Sequence, residues 1–114
     1  MEQSRLSRRA RTVIEDPRNE LYLSAASQWE LVIKHQAGKL HADLALSVLL
    51  NQQLAENYLI SLAIQPSHIK RVLDLPLHHK DPFDRLLIAQ ALEENLTLIS
   101  ADPDIRRYPV PVLW

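Results

Sequence analysis

Strand-like and helix-like segments alternate along the chain, and this alternation constrains the fold more than any other feature of the sequence. Apolar runs at 20–24, 58–64, 96–100 and 109–113 have the length of strands, and helical patterns separate most of them. A helix that joins two strands usually returns the chain so that the second strand runs parallel to the first. The sequence therefore predicts an α/β fold with a parallel sheet, in a three-layer α/β/α arrangement.

The helices are predicted from apolar residues at helical spacing and from residues that favour helix ends. Asp81 followed by Pro82 is the strongest of these signals. The Asp side chain accepts hydrogen bonds from free helix amides, and Pro suits the first helical position. The predicted helices are one capped by Ser4 or Ser7, one from about 25 to 37 ended by Gly38, one from Asp43 to about Glu56, one from Pro66 that ends before Pro76, and one after Asp81.

Length and composition favour a single globular domain that spans residues 1–114. Hydrophobic residues make up 46% of the chain and charged residues 24%, which is typical of a folded protein rather than a disordered one. There is no Cys, which excludes disulfides and cysteine-based zinc sites, and we find no apolar run long enough to span a membrane. The protein is therefore expected to be soluble and cytoplasmic, without a membrane partner.

The overall charge does not indicate a nucleic-acid partner. The chain carries 13 basic and 14 acidic side chains, for a net charge of −1. A protein that binds nucleic acid through bulk charge is usually clearly basic. Any nucleic-acid partner must therefore be bound through local patches or through metal ions.

Acidic residues are expected to gather at one edge of the predicted sheet. Asp102 directly follows the 96–100 strand, and Glu30 lies in the first turns of the helix after an earlier strand. Asp81 and Asp84 open the helix that precedes the 96–100 strand and runs antiparallel to it, so they reach the same edge. Clustered carboxylates repel one another unless cations bind between them, and oxygen ligands suit Mg²⁺ or Mn²⁺.

Each of these acids also has a purely structural interpretation. Glu30 stands three residues after a serine and could close a capping box with it. Asp81 is a favourable N-cap, an interpretation that is preferred for this residue, and Asp84 could complement the helix dipole. Asp102 could cap a last short helix. Composition and spacing alone therefore leave capping and metal binding open as alternatives.

Three segments of the sequence match a known family. The run 79–91, HKDPFDRLLIAQA, closely resembles the DPFDRLLIAQA signature of PIN-domain proteins of the VapC toxin type. Residues 24–34, SAASQWELVIK, are similar to the family's SAAS-WE-x-x-x-K segment, and residues 96–102, LTLISAD, to its LTLVTAD segment. The resemblance extends over nearly the whole chain.

The resemblance implies a Mg²⁺- or Mn²⁺-dependent endoribonuclease that hydrolyses RNA phosphodiester bonds, as the toxin of a type II toxin–antitoxin pair. By this resemblance Glu30, Asp84 and Asp102 are catalytic residues and hold the metal. Asp81 is implied to be an accessory catalytic acid, and Ser100 the hydroxyl that orients the site. The implied partners are the RNA substrate and a cognate antitoxin protein.

One part of the family pattern has no counterpart in this sequence. Family members begin with an apolar strand of the LLLDTH type, whose Asp is the first metal ligand, and no residue here matches it. The chain is therefore expected to be N-terminally truncated, to lack the central strand between 20–24 and 96–100, and to be impaired in catalysis. Because unpaired backbone groups inside a core are costly, we expect the neighbouring strands to close up or a second copy to fill the gap in a homo-oligomer.

Other interpretations stay open at this point. The chain could be a catalytically inactive PIN remnant that binds an antitoxin or itself, and a flavodoxin-like fold fits the strand pattern without fitting the signatures. Arg85 and Lys34 could contact RNA phosphate or serve the structure. His78 and His79 are expected to lie in a solvent-exposed loop rather than to bind zinc.

Overall fold

A computed structural model of the protein describes residues 6–38 and 59–114. The predicted helix from Asp43 to Glu56 and the alternative cap at Ser4 lie outside the described residues. The described elements are α1 (Arg8–Glu15), β1 (Leu21–Ser24), α2 (Ala25–Gln36), β2 (Leu59–Leu62), α3 (Pro66–Val72), α4 (Pro82–Glu94), β3 (Leu98–Ile99), a 3₁₀ helix (Ile105–Arg107) and β4 (Val112–Leu113).

The chain forms two compact units, Met1–Leu62 and Ala63–Trp114. In the first unit, α1 begins after Ser7, whose side chain accepts a hydrogen bond from the amide of Ala10 at 3.0 Å. This cap satisfies one of the amides that the first helical turn leaves without a partner, as predicted for this serine. The prediction of one domain over residues 1–114 stays a prediction.

The first unit also contains the parallel strands β1 and β2, in which Leu21 lies opposite Leu59 and Ser24 opposite Leu62. α2 starts directly after β1 and packs against it. Gln28 on α2 fixes this packing, because its side-chain amide donates to the hydroxyl of Ser61 on β2 at 2.8 Å. The helix is thereby tied to the strand that its own strand pairs with.

The second unit has its core on α4, where Ile88 and Ala89 are fully buried. α3 packs against α4, and β3 packs against the same helix. β3 and β4 run parallel, with Leu98 opposite Val112. The buried core consists of Leu75, Ile88, Ala89, Ala91, Ile105, Tyr108 and Val110.

The last strand is shorter than the sequence predicted, and proline explains the difference. The apolar run 109–113 was expected to be a strand, yet β4 contains only Val112–Leu113. Pro109 and Pro111 lack the backbone N–H that a ladder needs, so pairing can be continuous only beyond Pro111. The carbonyl of Pro111 still accepts a hydrogen bond from Leu98 at 2.9 Å, and this contact sets the start of the β3–β4 pair.

The predicted fold class is confirmed, because helices and parallel strands alternate in the described residues. β1 and β3 belong to two different two-stranded sheets. The three-layer arrangement and the missing central strand stay predictions. Within the described ranges, no helix combines the length and the apolar character that crossing a membrane requires.

Candidate metal centre

Three side chains of the second unit converge on one point: His79, Asp84 and Asp102. One possible ligand atom from each lies within 4.8 Å of the other two. Nε2 of His79 is 2.8 Å from Oδ2 of Asp102 and 3.0 Å from Oδ2 of Asp84. Two carboxylate oxygens therefore flank a single imidazole nitrogen.

The topology of the second unit explains why the two acids meet. Asp84 lies in the first turn of α4, and Asp102 follows β3, the strand that comes next along the chain. A helix that runs antiparallel to the following strand begins at the end where that strand finishes, which is the edge where α/β proteins bind ligands. The structure thus brings Asp84 and Asp102 together, while their role as metal ligands stays a prediction.

Asp102 is held in place by the backbone around it. Its Oδ1 accepts a hydrogen bond from the amide of Asp104 at 2.9 Å, which leaves Oδ2 facing His79. The amide of Asp102 donates to the hydroxyl of Ser100 at 3.1 Å. Ser100 therefore positions the backbone that carries Asp102, and its role in orienting a catalytic site stays a prediction.

His79 is the residue that the sequence analysis placed wrongly. Its side chain is only 14% exposed, so the expectation of a solvent-exposed loop is incorrect for this residue. The backbone amides of His78 and His79 both donate to the hydroxyl of Tyr108, at 3.0 and 2.8 Å. Tyr108 is buried in the core, so these hydrogen bonds anchor the loop before α4 to the core. The anchored loop holds His79 against Asp84 and Asp102.

The ring of His79 also has a fixed orientation. Its Nδ1 accepts a hydrogen bond from the backbone amide of Asp81 at 3.1 Å. An amide can only donate, so Nδ1 carries the lone pair and the ring hydrogen of the neutral form lies on Nε2. In this tautomer His79 donates its Nε2–H to Asp102, and Oδ2 of Asp84 lies 3.0 Å from the same nitrogen.

The pKa values of this group follow from the same contacts. The hydrogen bond with Asp102 raises the pKa of His79, the charges of Asp84, Asp102 and Asp104 act in the same direction, and burial opposes them. The amide of Asp104 lowers the pKa of Asp102; burial opposes this effect, and the contact with His79 adds to it.

Asp81 acts as the N-cap of α4. Its Oδ1 accepts hydrogen bonds from the amides of Phe83 at 2.8 Å and Asp84 at 3.4 Å. Pro82 occupies the first helical turn, as the sequence predicted. The preferred structural interpretation of Asp81 is confirmed, and the accessory catalytic role that the resemblance implied stays a prediction.

Replacing Asp81 by alanine is expected to lower the free energy of unfolding by about 1 kcal/mol, because the first-turn amides lose their acceptor. Asp81→Asn retains a capping oxygen and is expected to change stability by only a few tenths of a kcal/mol, roughly within error. Urea titration followed by circular dichroism measures both. Equal losses in the two variants would show that the charge of Asp81 matters rather than its hydrogen bonds.

Glu30 lies in the first unit, half-buried on α2. α2 begins at Ala25, and the hydroxyl of Ser24 accepts a hydrogen bond from the amide of Ala26 at 3.1 Å. Ser27 is therefore inside the helix rather than at its cap, so the capping-box interpretation of Glu30 is wrong. Its place among the metal ligands stays a prediction.

Arg85 has a structural role in the second unit. Its guanidinium donates to the carbonyls of Pro76 at 3.0 Å and Val72 at 3.2 Å, and it lies 3.4 Å from the Tyr108 hydroxyl. These contacts tie the end of α3 and the following loop to α4. Lys34 is exposed on α2, and a contact with RNA phosphate stays a prediction for both residues.

The donor set at this point fits a divalent cation. Carboxylate oxygens are the ligands that Mg²⁺ and Mn²⁺ prefer. Neighbouring carboxylates repel each other less when a cation or a hydrogen-bond donor lies between them, and in this structure His79 contacts both. Asp84 and Asp102 are thus the described residues that would hold the ion.

Comparison with known proteins identifies a family for the chain. A sequence model of the PIN domain matches residues 1–111, nearly the whole chain. No curated protein and no solved structure matches the chain significantly. PIN domains are generally metal-dependent nucleases of α/β fold, and they bind divalent metal. On the match over residues 1–111, the chain belongs to the PIN-domain family.

Proposed function

We propose that this protein is a Mg²⁺- or Mn²⁺-dependent endoribonuclease that hydrolyses RNA phosphodiester bonds. The observation that carries the proposal is the convergence of the Asp84 and Asp102 carboxylates beyond the end of β3, in a chain of the PIN-domain family. Independent helix caps have no reason to meet at one point. Their convergence supports a shared ligand.

In this proposal Asp84 and Asp102, whose Oδ2 atoms flank His79, would hold the ion, and the family resemblance adds Glu30 to the ligands. When bound, such an ion gives Lewis-acid assistance to the attack of water on a phosphodiester. The chain's contribution is positioning. The amide of Asp104 and the hydroxyl of Ser100 fix Asp102, and the N-cap bonds of Asp81 fix the turn that carries Asp84.

The finer assignment extends the same proposal. We infer a toxin of the VapC type, paired with an antitoxin protein, on the DPFDRLLIAQA signature at residues 81–91. This assignment predicts a three-layer α/β/α arrangement. It also predicts weak ribonuclease activity, because no residue of the chain matches the first acidic metal ligand of the family pattern.

The experiment that tests the proposal is cleavage of a labelled mixed-sequence RNA with Mn²⁺ or Mg²⁺. We expect slow cleavage that EDTA abolishes and that Asp84→Asn reduces at least about 100-fold, since the site loses a charged ligand. Asp74→Asn is the matched control, because Asp74 is an exposed acid of the same unit, and it should cut like the unchanged protein. Cleavage that survives EDTA, or that is equal in Asp84→Asn, would contradict the proposal.

A non-catalytic binding module is the second candidate, favoured by apolar side chains that α2 presents to solvent. Trp29 is 61% exposed and Val32 is 51% exposed. Large apolar side chains grouped on one exposed helix are typical of a surface that binds another protein, here an antitoxin or a second copy. Absence of both cleavage and Mn²⁺ binding, together with a dimer in sedimentation that Trp29→Ala dissociates, would favour this candidate.

A further inference from the structure

The position of His79 affects how the site binds its metal. This inference rests on the proposed function. Nε2 of His79 lies 2.8 Å from one carboxylate oxygen and 3.0 Å from the other. A Mg²⁺ or Mn²⁺ ion bound to both oxygens at ordinary ligand distances of about 2.1 Å would come too close to an Nε2 that carries hydrogen. On the side of the two oxygens that His79 faces, the ion and the ring in its present position therefore exclude each other.

His79 could stay beside a bound ion by becoming a ligand through a bare Nε2. That change would move the ring hydrogen to Nδ1, where it would point at the amide hydrogen of Asp81, 3.1 Å away between heavy atoms. The loop resists such a change, because the amides of His78 and His79 are anchored to the buried Tyr108. The hydrogen bonds of this loop thus keep His79 as a donor to the carboxylates.

We propose that His79 is an internal substitute for the metal: its Nε2–H holds the Asp84 and Asp102 carboxylates together, and a divalent cation must displace the ring to bind. The ring keeps the two like charges at their working separation before the ion arrives. The same contacts lower the affinity for the ion, since they must be broken on binding. His79 therefore preorganises the two carboxylates but lowers their affinity for the metal.

The first test is Mn²⁺ binding, measured by electron paramagnetic resonance on the full chain without RNA. If the ring competes with the ion, His79→Ala should bind Mn²⁺ about tenfold more tightly, the size expected for removal of one hydrogen bond to a charged group. His78→Ala is the matched control, because His78 is in the same loop and its ring contacts Tyr108, with centroids 5.1 Å apart. It should bind Mn²⁺ like the unchanged protein.

The second test uses the unchanged protein, so it does not depend on the folding of a variant. Titration with Mg²⁺ is followed by the ring-nitrogen resonances of the histidines. Saturating Mg²⁺ should shift the His79 signals and break the Nε2–H contact, while the His78 signals stay in place. Bound Mg²⁺ with unchanged His79 signals would overturn the inference, and so would weaker or equal Mn²⁺ binding by His79→Ala.

Mn²⁺ binding by Asp84→Asn distinguishes a failure of this inference from a failure of the proposed function. If Asp84→Asn weakens Mn²⁺ binding and His79→Ala fails to strengthen it, His79 is no substitute for the metal, and the nuclease proposal stands. If Asp84→Asn binds Mn²⁺ as tightly as the unchanged protein, the carboxylates do not form the metal site, and both proposals fall.

Discussion

Replacing Ile88 by alanine is expected to lower the free energy of unfolding by about 3 kcal/mol. Ile88 is 0% exposed and lies at the centre of the core that α4 forms with the 3₁₀ helix and the residues after it. Truncation removes buried methyl and methylene groups and leaves a cavity that the close-packed neighbours fill only in part. Urea titration measures the loss.

The matched control for this prediction is Ile69→Ala, the same substitution in the same unit. Ile69 is 58% exposed on α3, so its truncation removes little buried surface and should change stability by less than about 0.5 kcal/mol. A similar loss in both variants would show that Ile88 is not at the core of a cooperatively folded unit.

Replacing Tyr108 by phenylalanine is expected to lower the free energy of unfolding by about 2 kcal/mol, because its hydroxyl accepts hydrogen bonds from two backbone amides. The ring stays in the core, so the loss comes from the unsatisfied amides of His78 and His79 rather than from packing. Arg85 also loses a contact with the same oxygen, at 3.4 Å. Urea titration gives the stability.

Hydrogen exchange adds a readout that is specific to the loop before α4. The amides of His78 and His79 should exchange faster in Tyr108→Phe, while amides in the middle of α4 keep their protection at low denaturant. Tyr22→Phe is the control, since Tyr22 is 39% exposed and its hydroxyl has only a 3.5 Å contact with Glu20. Unchanged exchange in the loop would mean that water replaces the Tyr108 hydroxyl without loss.

The sequence predicted those features that depend on a few neighbouring residues. The cap at Ser7 and the start of α4 at Asp81 and Pro82 are confirmed, because capping needs only a side-chain oxygen and the amides two or three positions later. The approach of Asp84 to Asp102 was also predictable. It follows from a helix and the next strand running antiparallel, which the alternation of elements indicates.

Contacts between distant residues have no comparable signal in the sequence. His79 meets Asp102 across 23 positions, and its loop is anchored by a tyrosine 29 positions away. Local composition made His78 and His79 look equivalent, and only the direction in which the anchored loop holds each ring distinguishes them. Arg85 is a similar case, since the carbonyls it contacts are identified only once α3 and α4 are packed.

What the sequence alone determined is therefore the α/β class, the helix starts and the candidate acids of the second unit, since periodicity, capping and strand direction are local properties. The tertiary structure decided which group lies between the acids. That outcome depends on the Tyr108 hydroxyl, which fixes the position of the His79 loop, and on the Asp81 amide, which fixes the tautomer of the His79 ring. No local pattern specifies such a placement, because packing and hydrogen bonding across the unit select it.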